Sequence, residues 1–278
     1  IFYDGIGMGP NEPELVEETP DAWLVRETNG GELFELDKRS YALRHAASGR
    51  KTCDAAAPIA SRDDADRQIG LFTGWGEAYL DGLRWLIAEL GERALVLPHH
   101  SPAYICACYA LGFEAAMTLM LEDPALFHYV CGRVREGDAL RMREWAAAGA
   151  EAVFIADSWA SADILAPAMS ETFALPYQAS VIADAHAAGL RVILWNEGDI
   201  LPILPQEAAL PMDAFAFEQP RKGVDISIAA VRRAFGARRC LFGNLDSELL
   251  LLRNDPAEIA AAVAEQVRQS GPGAPFIH

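Results

Sequence analysis

Two short apolar segments, 40 positions apart, decide the fold. Residues 149–159 read GAEAVFIADSW, and residues 189–199 read GLRVILWNEGD. Each segment starts at a glycine, continues through a short apolar run and ends in polar residues. Runs of this length without a polar face are typical of strands buried on both sides. A helical stretch lies between them, so the pair predicts a strand–helix–strand unit with parallel strands and a right-handed crossover.

The same alternation of short apolar runs and helical stretches extends in both directions along the chain. Asp123-Pro124 and Asp255-Pro256 each combine a capping side chain with proline at the first helical position, which predicts helix starts. The predicted strands are Ala94–Leu97, Ala152–Ala156, Arg191–Leu194, Ala214–Phe217, Cys240–Phe242 and Pro275–Ile277, with Ile1–Tyr3 as a candidate seventh. This alternation predicts an α/β fold, a distorted (β/α)8 TIM-type barrel.

A doubly wound open sheet is the alternative fold. It would place a phosphate-binding glycine fingerprint after the first strand, and Gly5-x-Gly7-x-Gly9 has the wrong spacing for one. We expect a single domain over residues 1–278, with an irregular part over 1–60 and the barrel core over 61–278. Gly30-Gly31 predicts a hairpin within the irregular part. A first residue that is not Met and an abrupt end at His278 predict a chain that covers part of a longer protein.

Composition excludes several classes of function. The chain carries 40 acidic and 23 basic residues, a net charge of -17, which disfavours nucleic-acid binding. No stretch of eighteen apolar residues is free of Pro, His or charge, so we expect no membrane span. Five scattered cysteines favour a reducing cytoplasm. Cys106-x-Cys108 lacks the second pair of a zinc ribbon and favours helix packing.

Polar residues follow every predicted strand, at the end where barrel enzymes carry their chemistry. For any single position, a helix cap or a solvated loop is the better explanation. The whole set suits proton transfer or metal binding. The residues concerned are His99, His100, Asp157, Ser158, Trp159, Asn196, Glu197, Glu218, Asn244, Asp246 and His278.

Two of these strand ends allow a sharper prediction. Adjacent strand residues point to opposite faces, so only one of His99 and His100 can face the mouth, and we favour His100. Glu197 comes three residues after Leu194, and Gly198 permits a turn that aims its carboxylate into the mouth. Asp199 is better placed than Glu197 to cap the following helix. Carboxylates gathered at one mouth repel one another, so protonation or cation binding is expected there.

Several segments together resemble one known superfamily. Residues 148–160 read AGAEAVFIADSWA, residues 243–246 read GNLD, and residues 255–259 read DPAEI. Leu121–Pro124, Pro176-Tyr177 and His186–Gly189 add weaker matches. This set resembles the uroporphyrinogen decarboxylase superfamily over most of the chain from Glu14. The resemblance implies a distorted eight-stranded barrel, in agreement with the strand rhythm.

That superfamily holds two chemistries. Decarboxylases remove acetate carboxylates from uroporphyrinogen and carry an Arg-rich N-terminal motif that this sequence does not show. Other members transfer methyl groups to or from a corrinoid carrier, some with zinc held by a His-x-Cys pair. At that place this sequence has Trp195-x-Glu197, whereas residues 14–27 and Phe276–His278 are similar to the methyltransferase-like branch. The resemblance implies methyl transfer between a small methylated substrate and a corrinoid protein. Uroporphyrinogen decarboxylation and non-catalytic corrinoid or tetrapyrrole binding stay open as alternatives.

This interpretation assigns roles to the residues at the strand ends. Glu197, Asp157 and His278 are the candidate catalytic residues, and Glu197 and His278 are also candidate zinc ligands. No covalently bound cofactor is expected, and the expected partners are a corrinoid protein and a second copy of this chain. The candidate substrate-binding residues are Asn196, Glu218, Asn244, Asp246, His100, Tyr104 and Trp159.

Overall fold

The computed structural model describes residues 2–3, 14–26, 33–38, 43–45, 59–220, 224–246, 250–253 and 255–278. The strands are β1 Phe2–Tyr3, β2 Glu14–Glu18, β3 Ala22–Arg26, β4 Leu33–Asp37, β5 Leu43–His45, β6 Leu97–His100, β7 Ala152–Asp157, β8 Arg191–Asn196, β9 Ala214–Phe217, β10 Cys240–Phe242 and β11 Phe276–Ile277. The helices are α1 Arg62–Gln68, α2 Glu77–Leu90, α3 Ala103–Leu111, α4 Phe113–Glu122, α5 Pro124–Arg135, α6 Asp138–Ala147, α7 Pro167–Phe173, α8 Leu175–Ala187, α9 Leu204–Ala209, α10 Ile228–Phe235, α11 Leu250–Arg253 and α12 Pro256–Ser270. A 3-10 turn, Leu201–Ile203, precedes α9.

Seven strands form one parallel sheet in the order β1-β6-β7-β8-β9-β10-β11. Every neighbouring pair is parallel. The spatial order follows the chain order without a reversal, so right-handed crossovers place all the helices on one face of the sheet. A doubly wound sheet needs a reversal point and helices on both faces. The α/β barrel predicted from the sequence is therefore confirmed, with seven strands among the described residues.

The N-terminal part contains a second, antiparallel sheet. Its strand order is β2-β3-β4-β5, and the register pairs Trp23 with Leu36 and Val25 with Phe34. The predicted hairpin between β3 and β4 is confirmed, although Gly30-Gly31 lies outside the described residues. The segment predicted to be irregular thus contains a four-stranded meander, because its short alternating strands are separated by turn residues.

Some boundaries differ from those predicted. The strand expected at Ala94–Leu97 begins only at Leu97, because the turn that ends α2 continues until the Ala94 amide donates to the Leu90 carbonyl. Asp123 and Asp255 cap α5 and α12 as predicted, accepting from the amides of Leu126 (2.9 Å) and Ala257 (2.8 Å).

The apolar core has separate parts on the two faces of the parallel sheet. Leu97, Ala152, Ile193, Ala214 and Ala216 form a small cluster that Phe154, Trp195, Cys240 and Phe242 join from the same face of the sheet. A larger cluster, which includes Trp145, Val153, Val192, Leu194 and Phe215, joins the other face to the helices. We call the first face the lumen face and the second the helix face.

A third apolar cluster lies around α3, α4 and α5. Cys108 is fully buried within it and Cys106 is partly buried. Burial raises the pKa of both thiols to about 12, so both are packing residues, as the sequence favours. No single helix in the described part of the chain is long and apolar enough to cross a bilayer. Only α3 and α4 together reach that length and composition, and they are bent by 109° at their junction.

Candidate active site

Strand alternation decides which residues at the strand ends can reach the mouth of the barrel. In β7, Ala152 and Phe154 belong to the lumen cluster, whereas Val153 and Ile155 pack against the helices. The alternation places Asp157, the last residue of the strand, on the helix face. The same rule applies to β6 and β8.

Three rings stack across neighbouring strands on the lumen face. The His99 ring lies 6.0 Å from the Phe154 ring, and the Phe154 ring lies 6.4 Å from that of Trp195, each pair at 28°. All three side chains are half-buried. We call this set the lumen ladder. It forms an aromatic floor beneath the mouth. His99 is among the polar strand-end residues noted from the sequence, but none of the three is assigned a catalytic or binding role there.

His100 faces away from the lumen. Its Nε2 lies 2.9 Å from Oδ1 of Asp138, which also accepts from Arg141 Nη1 at 3.0 Å, and its ring packs at 6.0 Å from Trp145. The expectation that His100 faces the mouth is wrong, and its substrate-binding role stays a prediction. Because β6 begins at Leu97 on the lumen face, the second residue after it, His99, is the histidine that shares that face.

Asp157 and Asn196 are also turned away from the mouth. Both are fully buried, and they occupy paired positions at the ends of β7 and β8. Gln178 Nε2 donates to Asp157 Oδ2 at 2.9 Å, and Asn196 Nδ2 donates to Glu207 Oε1 at 2.7 Å. Burial raises the pKa of Asp157 to about 7 and that of Glu207 to about 8. The expectation that Asp157 lines the mouth is wrong, and Asn196 is turned away as well, because these side chains contact α8 and α9. The catalytic role of Asp157 and the substrate-binding role of Asn196 stay predictions.

The aromatic wall differs from the one predicted. Tyr104 is fully buried and donates from its hydroxyl to the Trp159 carbonyl at 3.1 Å, so it is a core residue. Trp159 is half-buried, with the rings of Tyr109 and Phe113 at 4.9 Å and 5.1 Å from its own. Gly112, with φ of 84°, joins α3 to α4 and brings these two rings together. We call Tyr109, Phe113 and Trp159 the rim aromatics.

Glu197 lies where a mouth residue is expected. It follows Asn196 directly and is half-buried, and its negative charge raises the pKa of Tyr109 together with burial, which is the larger cause. Gly198 turns the chain with φ of 84°, and a Cβ there would lie 2.3 Å from Asp163 Oδ1. That same oxygen accepts from the Asp199 amide at 3.1 Å, which ties the loop after β7 to the loop after β8.

Glu218 belongs to an acidic cleft beside Glu197. It is 9% exposed and lines this small cleft together with Asp163, Gly198 and Asp199. Asp199 also accepts from the Leu201 amide at 3.0 Å, which is the capping role expected for it. The mouth therefore carries several carboxyl groups on the side formed by β8 and β9.

Asn244 has a structural role. Its Nδ2 donates to the carbonyls of Glu218 (3.1 Å) and Ile226 (2.9 Å), and its Oδ1 accepts from Gln266 Nε2 at 3.0 Å. These bonds use both hydrogens of the amide group and its oxygen. The Asn244 amide thus connects the end of β10 to the loop after β9 and to α12. Its role in holding substrate oxygens stays a prediction.

The remaining candidates are Asp246, which is half-buried, and His278, which is exposed. The His278 ring packs edge-on against Phe276 at 4.7 Å. Their substrate-binding and catalytic roles stay predictions. Among the described residues, no three or more His, Cys, Asp or Glu side chains are grouped to hold a metal ion. The described residues do not by themselves supply a zinc site around Glu197 and His278, and we derive no step through a metal.

Comparison with known proteins places the chain within one family. The family model for uroporphyrinogen decarboxylase (URO-D) matches residues 58–278. Uroporphyrinogen decarboxylase of Chlorobaculum tepidum is 28% identical over 222 residues, which are 77% of this chain and 61% of that protein. Its counterpart in Chlorobium limicola is 30% identical over 216 residues, which are 75% of this chain and 57% of that protein. The chain thus spans about three fifths of the length of these relatives.

One solved structure shares the fold. A methyltransferase from Methanosarcina mazei superposes with a TM-score of 0.63 at 18% identity. The match covers 72% of this chain and 57% of that one. At this level of identity the likeness concerns the barrel fold alone.

Proposed function

Because the chain belongs to the uroporphyrinogen decarboxylase family, we propose that it transfers a methyl group between a small methylated substrate and a corrinoid carried by a partner protein. The observation that carries the proposal is the chemistry of the mouth. Its described residues combine the acidic cleft of Asp163, Asp199 and Glu218 with the rim aromatics and the lumen ladder.

An acidic mouth disfavours a substrate that carries several carboxylates. Each carboxylate that enters would meet charges of the same sign, and such juxtaposition typically costs several kcal/mol. A small neutral or cationic molecule avoids the repulsion, and its methyl groups can pack on aromatic faces.

Glu197 is the residue that we assign to proton transfer. In the proposed reaction the carbon–heteroatom bond breaks with its electron pair staying on the heteroatom, and the heteroatom takes up a proton. When bound, the partner's corrinoid supplies the nucleophile that accepts the methyl group. Glu197 is half-buried beside the rim aromatics, where a carboxylic acid can deliver that proton.

Decarboxylation of a tetrapyrrole acid is the second candidate, because the curated relatives carry that name. One experiment compares the two. The purified protein is incubated with reduced cobalamin and a panel of methoxyarenes, methylated amines and methylated thiols, and methylcobalamin is followed by its absorbance. A parallel reaction with uroporphyrinogen is followed by chromatography. We expect methylcobalamin and no coproporphyrinogen, and the opposite result would refute the proposal.

A pair of variants tests the role of Glu197. Glu197→Gln keeps the shape of the side chain and removes its acid, so we expect methyl transfer to fall by about 10²-fold or more. Glu89→Gln is the matched control, because Glu89 is an exposed carboxylate on α2. Both variants should melt within about 1 °C of the parent, since substitutions at exposed or partly exposed sites change stability little. Equal turnover in the two variants would show that Glu197 takes no part in the reaction.

A further inference from the structure

Four buried polar side chains connect the ends of β7 and β8 to the helices behind them. They are Asp157, Gln178, Asn196 and Glu207, and each is 0% exposed. Gln178 donates to Asp157, and Asn196 donates to Glu207. Burial raises the pKa of Glu207, and Asn196, Asp157 and Gln178 all act on it, so the two bonded pairs are neighbours. The set is continuous from β7 through α8 and α9 to β8. We call these four residues the buried quartet.

The buried quartet has more hydrogen-bond acceptors than donors when both carboxyl groups are ionised. One oxygen of each side chain lacks a hydrogen-bond partner among the described residues: Asp157 Oδ1, Gln178 Oε1, Asn196 Oδ1 and Glu207 Oε2. All four atoms are acceptors if both carboxyls are ionised, so none can satisfy another. Two protons remove the shortage, because each carboxylic O–H can donate to one amide oxygen. The number of missing donors thus equals the number of carboxyl groups.

The electrostatic surroundings favour the same protonation state. The titratable groups that face Asp157 are Tyr104, Cys106, Cys108 and Tyr109 from α3, Cys131 from α5 and Glu207 from α9. All of them are acids, so none offers a positive charge, and Glu207 in turn faces Asp157. Burial is the largest influence on the pKa of Asp157 and raises it, whereas hydrogen bonds from the neutral Gln178 side chain and the Trp159 backbone lower it by less. Burial without a cation favours the uncharged form of a carboxyl group.

Asp138 provides the contrast within this molecule. It is 2% exposed, almost as buried as the quartet, yet it accepts from Arg141 and pairs with His100. A buried carboxylate with an Arg partner is stabilised as the ion. Burial alone therefore does not distinguish Asp157 from Asp138, whereas the partners do.

We propose that Asp157 and Glu207 are both protonated in mildly acidic solution and close a hydrogen-bonded network with Gln178 and Asn196 that holds α8 and α9 against the strand ends. Alkaline pH removes the two protons and loosens this contact. Trp159 and Glu197 follow Asp157 and Asn196 by two residues and one, so Asp157 and Glu207 are positioning residues for the mouth. The inference holds whichever reaction the barrel performs.

The sign of the pH dependence follows from the raised pKa values. A carboxyl whose pKa is higher in the folded than in the unfolded chain contributes stability that is full at low pH and is lost as pH rises through the folded value. For Asp157 that value is about 7 and for Glu207 about 8. The melting temperature should therefore decline from about pH 4 to about pH 8, over the window between the ordinary and the raised pKa values.

Amide variants test the protonation state directly. Asp157→Asn and Glu207→Gln place an uncharged group there, with a donor nitrogen and an acceptor oxygen in place of the two carboxyl oxygens. We expect the melting temperature of each, relative to the parent, to rise between pH 5 and pH 9. Asp138→Asn is the matched control and should melt lower than the parent at both pH values, since it removes an ion paired with Arg141. Variants of Asp157 and Glu207 that behave like Asp138→Asn would overturn the proposal.

Infrared spectroscopy of the unaltered protein gives a second test that does not need a variant to fold. At pH 6, after exchange into heavy water, the C=O stretch of buried protonated carboxyls should be present, and it should disappear at pH 9. Each amide variant should lose its own part of that band, and Asp138→Asn should keep the whole band. Absence of the band in the parent, or a tightly retained metal ion that is lost in Asp157→Asn, would overturn the inference.

Discussion

Replacing Arg232 should weaken the attachment of β11, the last strand of the parallel sheet, to α10. Arg232 is 9% exposed, and its guanidinium donates to three backbone carbonyls: Gly236 at 2.9 Å, Arg239 at 2.6 Å and Pro275 at 2.8 Å. The last of these bonds joins α10 to the residue that precedes β11. Arg232→Met keeps much of the aliphatic packing and removes all three donors.

The size of the effect follows from those three bonds. A hydrogen bond from a charged donor contributes roughly 1.5 to 3 kcal/mol, and the lower end applies because the accepting residues are partly open to water. The loss should therefore be roughly 3 to 5 kcal/mol, and at ~2 to 4 °C per kcal/mol for a chain of this size the melting temperature should fall by roughly 6 to 20 °C.

Two measurements check this prediction. Thermal melts compare Arg232→Met with Arg233→Met, which removes the exposed neighbouring arginine on the same helix. Hydrogen exchange should also speed up at the amides of Leu241 and Gly243, which donate to the Pro275 and Ile277 carbonyls. If both variants melt together and the two amides stay protected, the reasoning about this guanidinium is refuted.

Substitutions of Gly112 and Gly198 test the backbone turns that shape the mouth, and Gly132 in α5 is the comparison site. Gly112→Ala should destabilise the chain by about 1 to 3 kcal/mol in denaturant melts, because φ of 84° and ψ of 147° suit only glycine although the site has room for a Cβ. Gly132→Ala is its matched counterpart in α5, also with open space, and should instead stabilise by about 0.5 to 1 kcal/mol. Gly198→Ala should lower turnover in the methyl-transfer assay, because its Cβ would displace Asp163 from the Asp199 amide. Unchanged turnover in that variant would separate this loop from the reaction.

Much of the fold could be predicted from local sequence. The apolar runs at Ala152–Ala156, Arg191–Leu194 and Ala214–Phe217 lie within β7, β8 and β9, because a strand buried on both faces needs an unbroken apolar run. The Asp-Pro pairs at 123–124 and 255–256 start helices, because a capping carboxylate and a fixed proline φ act within one turn. These signals depend only on near neighbours in the chain.

The division of one expected helix into two could not be predicted from such local signals. The stretch from Pro124 to Gly149 reads as one helix, yet it forms α5 and α6, with the break at Glu136 and Gly137. A Cβ on Gly137 would lie 2.4 Å from Cβ of Phe72, a residue 65 positions earlier. Contacts of this kind are invisible to a local pattern.

The direction of the side chains at the strand ends is where sequence reasoning about the site failed. Asp157, Asn196 and His100 are polar residues at strand ends, as the sequence predicts, but all three face the helices. The sequence did contain the residues that face the lumen, since His99 and Trp195 lie one residue before His100 and Asn196 on the same strands. They could be recognised as lumen residues only once the position of the lumen was known.

The sequence by itself determined which segments become strands of the parallel sheet, their parallel order and the end of the barrel at which polar groups collect. The tertiary structure alone decided which of two adjacent residues enters the mouth, and it alone brought Glu207 against Asn196. The physical reason is that the strands of this barrel are apolar on both faces. The order of residue types along a strand therefore does not indicate which side chains face the lumen and which face the helices. The orientation of each side chain is decided by the helices that pack on one side of the sheet, and those contacts join residues far apart in the chain.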